Sequence, residues 1–307
     1  MRHFIDLTAL SKADVRAILN EAHQRKQARA GWPKAAPDAD APLHGHALAM
    51  IFQKNSTRTR VSFDIGIRQL GGVPILMNAS ETQLGRGETV EDTARVLSRM
   101  VDAVMIRANN HQDVLDFAAA STVPVINGLT DLSHPCQILA DIQTIEEKRG
   151  PIDGKTIAWL GDGNNVCMSF VHAAEKLPFT LRIATPPNYA PRRQEIEAAQ
   201  KAGAQVRVTN DPHAAIAGAD VVVTDTWVSM GDTDKDERMK AFPPYAVDEV
   251  IMQRANPDAI FLHCLPAHRG EEVMDAVMDA PNSAVWDEAE NRIHAQKAVM
   301  LWCLGKI

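Results

Sequence analysis

The chain has 307 residues, 45% of them hydrophobic and 23% charged, and a formal net charge of −7. That length exceeds what one core usually serves, so two domains are expected. The acidic balance and the lack of any basic run exclude broad nucleic-acid binding, and no apolar run approaches the length of a membrane span.

The first residues, Met1-Arg2-His3-Phe4-Ile5-Asp6, carry neither a signal-peptide core nor a transit pattern. Cys136, Cys167, Cys264 and Cys303 show no C-x-x-C spacing, so neither a zinc site nor a disulfide framework is implied, and the cytoplasm is the expected compartment. Residues 32–43, rich in Ala, Pro and Asp, read as a surface connection. The apolar run 47–52 reads as a buried strand. After it come Ser56-Thr57-Arg58-Thr59-Arg60 and a helix over 61–70, in which Phe63, Ile67 and Leu70 share a face and Gly71-Gly72 end the pattern. Hydroxyls and arginines therefore crowd a helix N-terminus at a strand end, where backbone N–H groups and the helix dipole favour an anion. Basic side chains there oppose the dipole, and guanidinium forks match phosphate, so a phosphate cradle is expected.

A strand at 73–77, a polar loop at 78–88, and a helix marked by Val90, Ala94, Leu97 and Val101 follow. A strand at 102–106 then ends on Arg107, and a helix at 113–120 and a strand at 123–126 complete the first half. Ser133-His134-Pro135 opens a helix striped by Ile138, Ile142 and Ile145, and 148–154 reads as a linker. Strands at 156–160, 181–184, 205–208, 220–224 and 259–263 occupy the second half, and a helix over about 288–304 closes the chain. This alternation predicts an α/β fold with parallel sheets.

Ligands of open α/β sheets bind beyond the carboxyl ends of the strands, where Ser56 to Arg60, Arg107, His134, Asn165, Asp225 and Cys264 all fall. Individually Arg107 could be a surface cap, His134 a helix-start residue, Asp225 a turn former and Arg292 a solvated residue; their shared placement is what points to a site. Gly161-Asp162-Gly163 resembles the start of a dinucleotide turn, but Val166 stands where the third glycine belongs, which counts against a nicotinamide-dependent dehydrogenase. Asp225-Thr226-Trp227-Val228-Ser229-Met230-Gly231 suits recognition of an ammonium group by a loop that can move. His263-Cys264-Leu265-Pro266-Ala267-His268 suggests a metal. Residues at opposite ends of such a turn are expected to diverge, however, and no third ligand cluster is evident. Gln83-Leu84-Gly85-Arg86-Gly87-Glu88 reads by composition as a surface loop.

Together these segments resemble the transcarbamoylase family, on its ornithine branch, in order over most of the chain. Ser56-Thr57-Arg58-Thr59-Arg60 and His134-Pro135-Cys136-Gln137 are similar to the family's carbamoyl phosphate motifs. Ser229-Met230-Gly231 and His263-Cys264-Leu265-Pro266 are similar to those of the ornithine branch. The resemblance implies two doubly wound domains, each with a central parallel sheet, linked by two interdomain helices. Residues 1–134, completed by the terminal helix 288–307, would bind carbamoyl phosphate; 135–150 would be a linking helix and 151–287 would bind ornithine. It implies transfer of a carbamoyl group from carbamoyl phosphate to the δ-amine of ornithine, without cofactor or metal, with arginine biosynthesis favoured over degradation. Ser56, Thr57, Arg58 and Thr59 would hold the phosphate. Arg107, His134 and Thr59 would polarise the carbamoyl oxygen, and Gln137 and the Leu265 backbone would hold its amide. Arg292 and Cys264 would also border carbamoyl phosphate. Asn165, Asp225, Ser229 and Met230 would bind ornithine, and whether Cys264 removes a proton or only orients the amine stays open. A homotrimer is implied, with the Gln83 loop reaching a neighbour's site. A catalytically silent homologue would lack one of these residues, and none is missing.

Overall fold

The structure, a computed structural model, describes residues 1–78, 87–229 and 231–307. The chain divides into two units, Met1–Ala140 with Glu290–Ile307, and Asp141–Ala289.

In the first unit β1 (Ala47–Phe52), β2 (Val73–Asn78), β3 (Ala103–Arg107) and β4 (Val125–Leu129) form a parallel sheet in the order β2-β1-β3-β4. Strands β1 and β3 are buried almost throughout and accordingly read as unbroken apolar runs rather than alternating ones. Helices α1 (Lys12–Ala28), α2 (Thr57–Gln69), α3 (Val90–Leu97) and α4 (His111–Ala120) accompany the sheet. Ala94 and Leu97 of α3 and Val114 and Phe117 of α4 pack on Ala49, Ile51, Val104 and Ile106. Strand β4 starts later than the expected 123–126, since Pro124 has no N–H to give to a ladder.

The sequence reading leaves α1 unassigned, because its apolar stripe is thin: only Val15, Ile18, Leu19 and Ala22 are buried. Local chemistry and the far end of the chain hold it instead. Ser11 and Asp14 form a capping box, and the Trp302 indole donates to Asp14 at 2.9 Å. The 32–43 segment is mostly exposed as expected, but Asp38 turns inward. Its carboxylate takes Arg29 at 2.6 Å, Arg25 at 3.1 Å and Lys297 at 2.7 Å. Lys297 is fully buried; burial lowers its ammonium to about 8, against the opposing pull of Asp38. Asp38→Ala is therefore expected to destabilise the protein by about 3–5 kcal/mol, because it strands a buried cation. A lower midpoint in urea unfolding is the measurement. Lys297→Met is expected to cost less, since Asp38 keeps both arginines.

In the second unit β5 (Thr156–Leu160), β6 (Thr180–Ala184), β7 (Gln205–Thr209), β8 (Val221–Thr224) and β9 (Ile260–His263) form a parallel sheet in the order β7-β6-β5-β8-β9. Helix α5 (Pro135–Arg149) leads into this unit. It is followed by α6 (Asn165–Ala174), α7 (Arg193–Lys201), α8 (Pro212–Ile216), α9 (Lys235–Ala241), and the short α10 (Glu249–Met252) and α11 (Asp275–Met278). The core joins Ala158, Leu160, Val222 and Phe261 of the sheet to Ile216, Val247 and Val277. Helix α12 (Val285–Cys303) returns the chain to the first unit. Both units are thus α/β with a central parallel sheet, and in all strands but β4 the expected limits are met within one residue.

Candidate active site

Strand order reverses between β1 and β3 in the first unit and between β5 and β8 in the second, the places where such sheets bind ligands. In the first unit the Ser56 hydroxyl caps α2, accepting the Thr59 N–H at 3.2 Å. A cavity of about 310 Å³ opens at this helix start, lined by Phe52, Ser56, Thr57, Arg60 and Asn78 among others.

Arg107 ends β3 beside Phe52 of β1. Opposite it, β4 bulges: Ile106 faces Asn127 and Arg107 faces Leu129, which leaves Gly128 between. A Cβ at Gly128 would fall 2.5 Å from the Met105 sulfur, so a larger residue there would have to displace the Met105 side chain. Bulges of this kind re-aim neighbouring side chains. The Arg107 guanidinium donates to the Thr59 hydroxyl at 3.1 Å, and Arg292 donates to the same oxygen at 2.9 Å and to Gln137 Oε1 at 2.8 Å. Arg292 is 2% exposed, so the solvated reading is wrong for it: the latter part of α12 is packed into the first unit.

Two guanidiniums converging on one hydroxyl beside a helix N-terminus concentrate positive charge where a multi-oxygen anion is the natural partner. His134 immediately precedes α5 and is buried. Burial, reinforced by Arg292, Arg107 and Arg58, holds its imidazole well below the usual range. It is neutral at physiological pH, able to offer a hydrogen bond without adding charge.

In the second unit the turn after β5 packs tightly, and a Cβ on Gly163 would lie 2.3 Å from the Pro191 nitrogen. This glycine answers to a crossing chain segment. Asn164 caps α6 by accepting from the Val166 and Cys167 N–H groups, and its amide donates to Asp225 Oδ2 at 2.7 Å. The Cys264 thiol donates to Asp225 Oδ1 at 3.1 Å, so two donors orient one buried carboxylate. Asn165, expected to line the ornithine site, is the first residue of α6, directly after this cap. The loop after Asp225 is anchored by Arg238 of α9, which donates to Asp162 at 2.8 Å and to the Trp227 carbonyl at 2.9 Å. Burial raises the Asp162 carboxyl to about 6 despite that partner. The Ser229 N–H donates to Asp232 at 2.7 Å. Gln83 and Met230 lie outside the described residues.

Burial, then the charges of Asp225 and Glu288, push the Cys264 thiol well above its usual range. It is therefore S–H rather than thiolate. Iodoacetamide at mildly alkaline pH is expected to alkylate Cys264 about tenfold or more slowly than free cysteine. Asp225→Asn, which removes one of the two charges, is expected to speed that labelling, as read by mass spectrometry of the Cys264 peptide.

Asp225, His263 and Cys264 bring possible metal-ligand atoms within 4.8 Å of one another. All of them have protein partners: the thiol faces Asp225, His263 Nδ1 accepts from the Leu265 N–H, and His263 Nε2 faces Glu272. The expectation that His263 and His268 diverge is corrected here. Both turn to Glu272, because the chain doubles back after Pro266 and brings the carboxylate between them.

Residues 2–147 match the carbamoyl-P binding domain of the aspartate/ornithine carbamoyltransferases, and residues 153–303 match their Asp/Orn binding domain. The chain belongs to the aspartate/ornithine carbamoyltransferase family. Within it, the chain is 65% identical over 306 residues to an ornithine carbamoyltransferase of Caulobacter vibrioides, covering 100% of this chain and 98% of that one. It is 60% identical to the one of Rhizorhabdus wittichii, covering 100% and 99%. The solved ornithine carbamoyltransferase of Pyrococcus furiosus superimposes with a TM-score of 0.93 at 48% identity, covering 100% of this chain and 98% of that one. The carbamoyl-P match covers the first unit up to Ala140, and the Asp/Orn match covers most of the second unit and runs on into residues 290–303 of the first. Sequence reasoning overlooked Asn164, Glu272 and Glu288. Asn164 had a signal, an amide at a helix start after a strand; the two glutamates had none, since their partners depend on how the chain folds back.

Proposed function

We propose that this carbamoyltransferase converts carbamoyl phosphate and L-ornithine to L-citrulline and phosphate. The observation that carries the reading is the pair of guanidiniums, Arg107 and Arg292, on the Thr59 hydroxyl beside a neutral His134. In the attack, the δ-nitrogen forms a bond to the carbamoyl carbon. The carbon–oxygen bond to phosphate breaks, phosphate leaves with the electron pair, and the proton shed by the attacking nitrogen goes to a departing phosphate oxygen. Arg107, His134 and Thr59 stabilise the negative charge that develops on the carbamoyl oxygen, and Ser56, Thr57, Arg58 and Arg292 hold the departing phosphate. Gln137, fixed by Arg292, and the Leu265 backbone hold the carbamoyl amide.

The δ-amine resembles a lysine amine, with an ordinary pKa of about 10.4, so reaching its neutral form at physiological pH costs roughly 4–5 kcal/mol. Asp225 binds the ammonium end of the substrate, with Asn165, Ser229 and Met230 lining the rest. Cys264, a thiol already donating to Asp225, orients the amine; its protonated state argues against a thiolate base. The reaction needs no metal or cofactor.

Biosynthesis of arginine is the proposed direction, supported by the likeness to the anabolic ornithine carbamoyltransferase of Campylobacter jejuni, 40% identical with a TM-score of 0.92. A cytoplasmic homotrimer is the proposed setting. No helix among the described residues is long and apolar enough to cross a membrane. The edge strand β2 exposes Val73, Ile75 and Leu76, which calls for a covering partner. Citrulline formation, assayed with putrescine and N-acetylornithine as controls, tests the reading; no citrulline from folded protein would refute it.

A further inference from the structure

Beyond the residues that border substrate, the second unit holds a fully buried acid–imidazole pair that the reaction as written does not use. Glu272 and His263 are each 0% exposed, and His263 Nε2 lies 3.2 Å from Glu272 Oε1. The other ring nitrogen, Nδ1, accepts the Leu265 N–H at 2.9 Å. An acceptor nitrogen carries no proton, so the imidazole is neutral and its single proton sits on Nε2, aimed at Glu272. The same carboxylate takes the His268 N–H, while Glu288 takes the His263 N–H at 2.8 Å. Burial alone would raise the Glu272 carboxyl, but the bonds from His263 and His268 outweigh it and hold it below its usual range, as an anion.

The tether matters because of what it holds. Leu265 is a non-glycine residue at φ 59°, the left-handed region that an L side chain enters only at a cost of about 1 kcal/mol or more. It persists where neighbours over-determine it, and the His263 lone pair on its N–H is one such constraint. The other ring tautomer would set an N–H against that N–H.

We propose that Glu272 is a positioning residue: by fixing the His263 tautomer it holds the Cys264-Leu265 turn in the shape that receives the carbamoyl amide. This rests on the carbamoyl transfer proposed above. Glu272→Met keeps the volume and removes the acceptor, and Glu272→Gln keeps an acceptor oxygen for both donors. Glu272→Met is expected to lower kcat/KM for carbamoyl phosphate about 10²-fold, the effect of a misplacement near 1 Å. Glu272→Gln is expected to stay within about threefold of wild type, its hydrogen bonds being kept. Heteronuclear NMR of the imidazole nitrogens should show His263 protonated at Nε2 alone in wild type and Glu272→Gln, with that preference lost in Glu272→Met.

A folded Glu272→Met enzyme with near wild-type turnover would overturn the proposal, as would a Glu272→Gln enzyme as impaired as Glu272→Met. A wild-type His263 protonated at Nδ1 would do so too. If Glu272→Met does not fold, Glu272→Gln and the wild-type tautomer decide. Absence of citrulline from wild type would instead count against the reaction, while the tautomer measurement would still stand.

Discussion

Arg107→Ala is expected to lower kcat for citrulline formation by about 10²–10³-fold, the usual loss when one donor to a developing oxyanion is removed. Arg107 reaches its place through the end of β3 and the bulge at Gly128, and it shares the Thr59 oxygen with Arg292. Arg107→Lys is expected to recover little, because an ammonium cannot reproduce a planar fork aimed at two acceptors. Circular dichroism and the unfolding midpoint serve as controls, since the side chain is 8% exposed and its loss leaves some space. Near wild-type turnover in a folded Arg107→Ala protein would take this residue out of the site.

Asp225→Asn is expected to fall most heavily on the second substrate. The carboxylate is 7% exposed and already oriented by Asn164 and Cys264, so little reorganisation is needed to meet an ammonium group. Loss of a buried charge partner costs about 2–5 kcal/mol, or roughly 30- to several-thousand-fold in kcat/KM for ornithine. Calorimetric binding of carbamoyl phosphate is expected to change little, because its proposed phosphate contacts belong to the first unit. Equal losses for both substrates would show that Asp225 supports the protein generally and is no ornithine residue.

Much of this was legible in the sequence for a physical reason. Buried parallel strands are unbroken apolar runs, so β1, β3, β5 and β8 announce themselves, and the residues just past their ends are the ones that meet ligand. That placement is what singles out Ser56 to Thr59, Arg107 and Asp225 as candidates. Helix α1 was not, because burial of so few side chains leaves no strong period, and its support comes from Asp38 and α12. The burial of Arg292 was equally hidden, since nothing local to α12 shows that its latter part packs against Thr59. Asn164 and Glu272 illustrate a third limit. A capping residue or a distant acid acquires its role only when folding brings Asp225 or His263 to it.

The composition of the first unit also bears on how the protein comes off the ribosome. Its sheet is complete once Leu129 has emerged, yet Arg292 and Lys297 belong to the last stretch of chain. At typical elongation rates a chain of 307 residues takes roughly 15–60 s to make. For much of that time Asp38 waits without its lysine and Thr59 without its second guanidinium. The unit that is synthesised first is therefore finished last, and a nascent chain halted before α12 would hold both sheets but only one of the two guanidiniums that meet on Thr59.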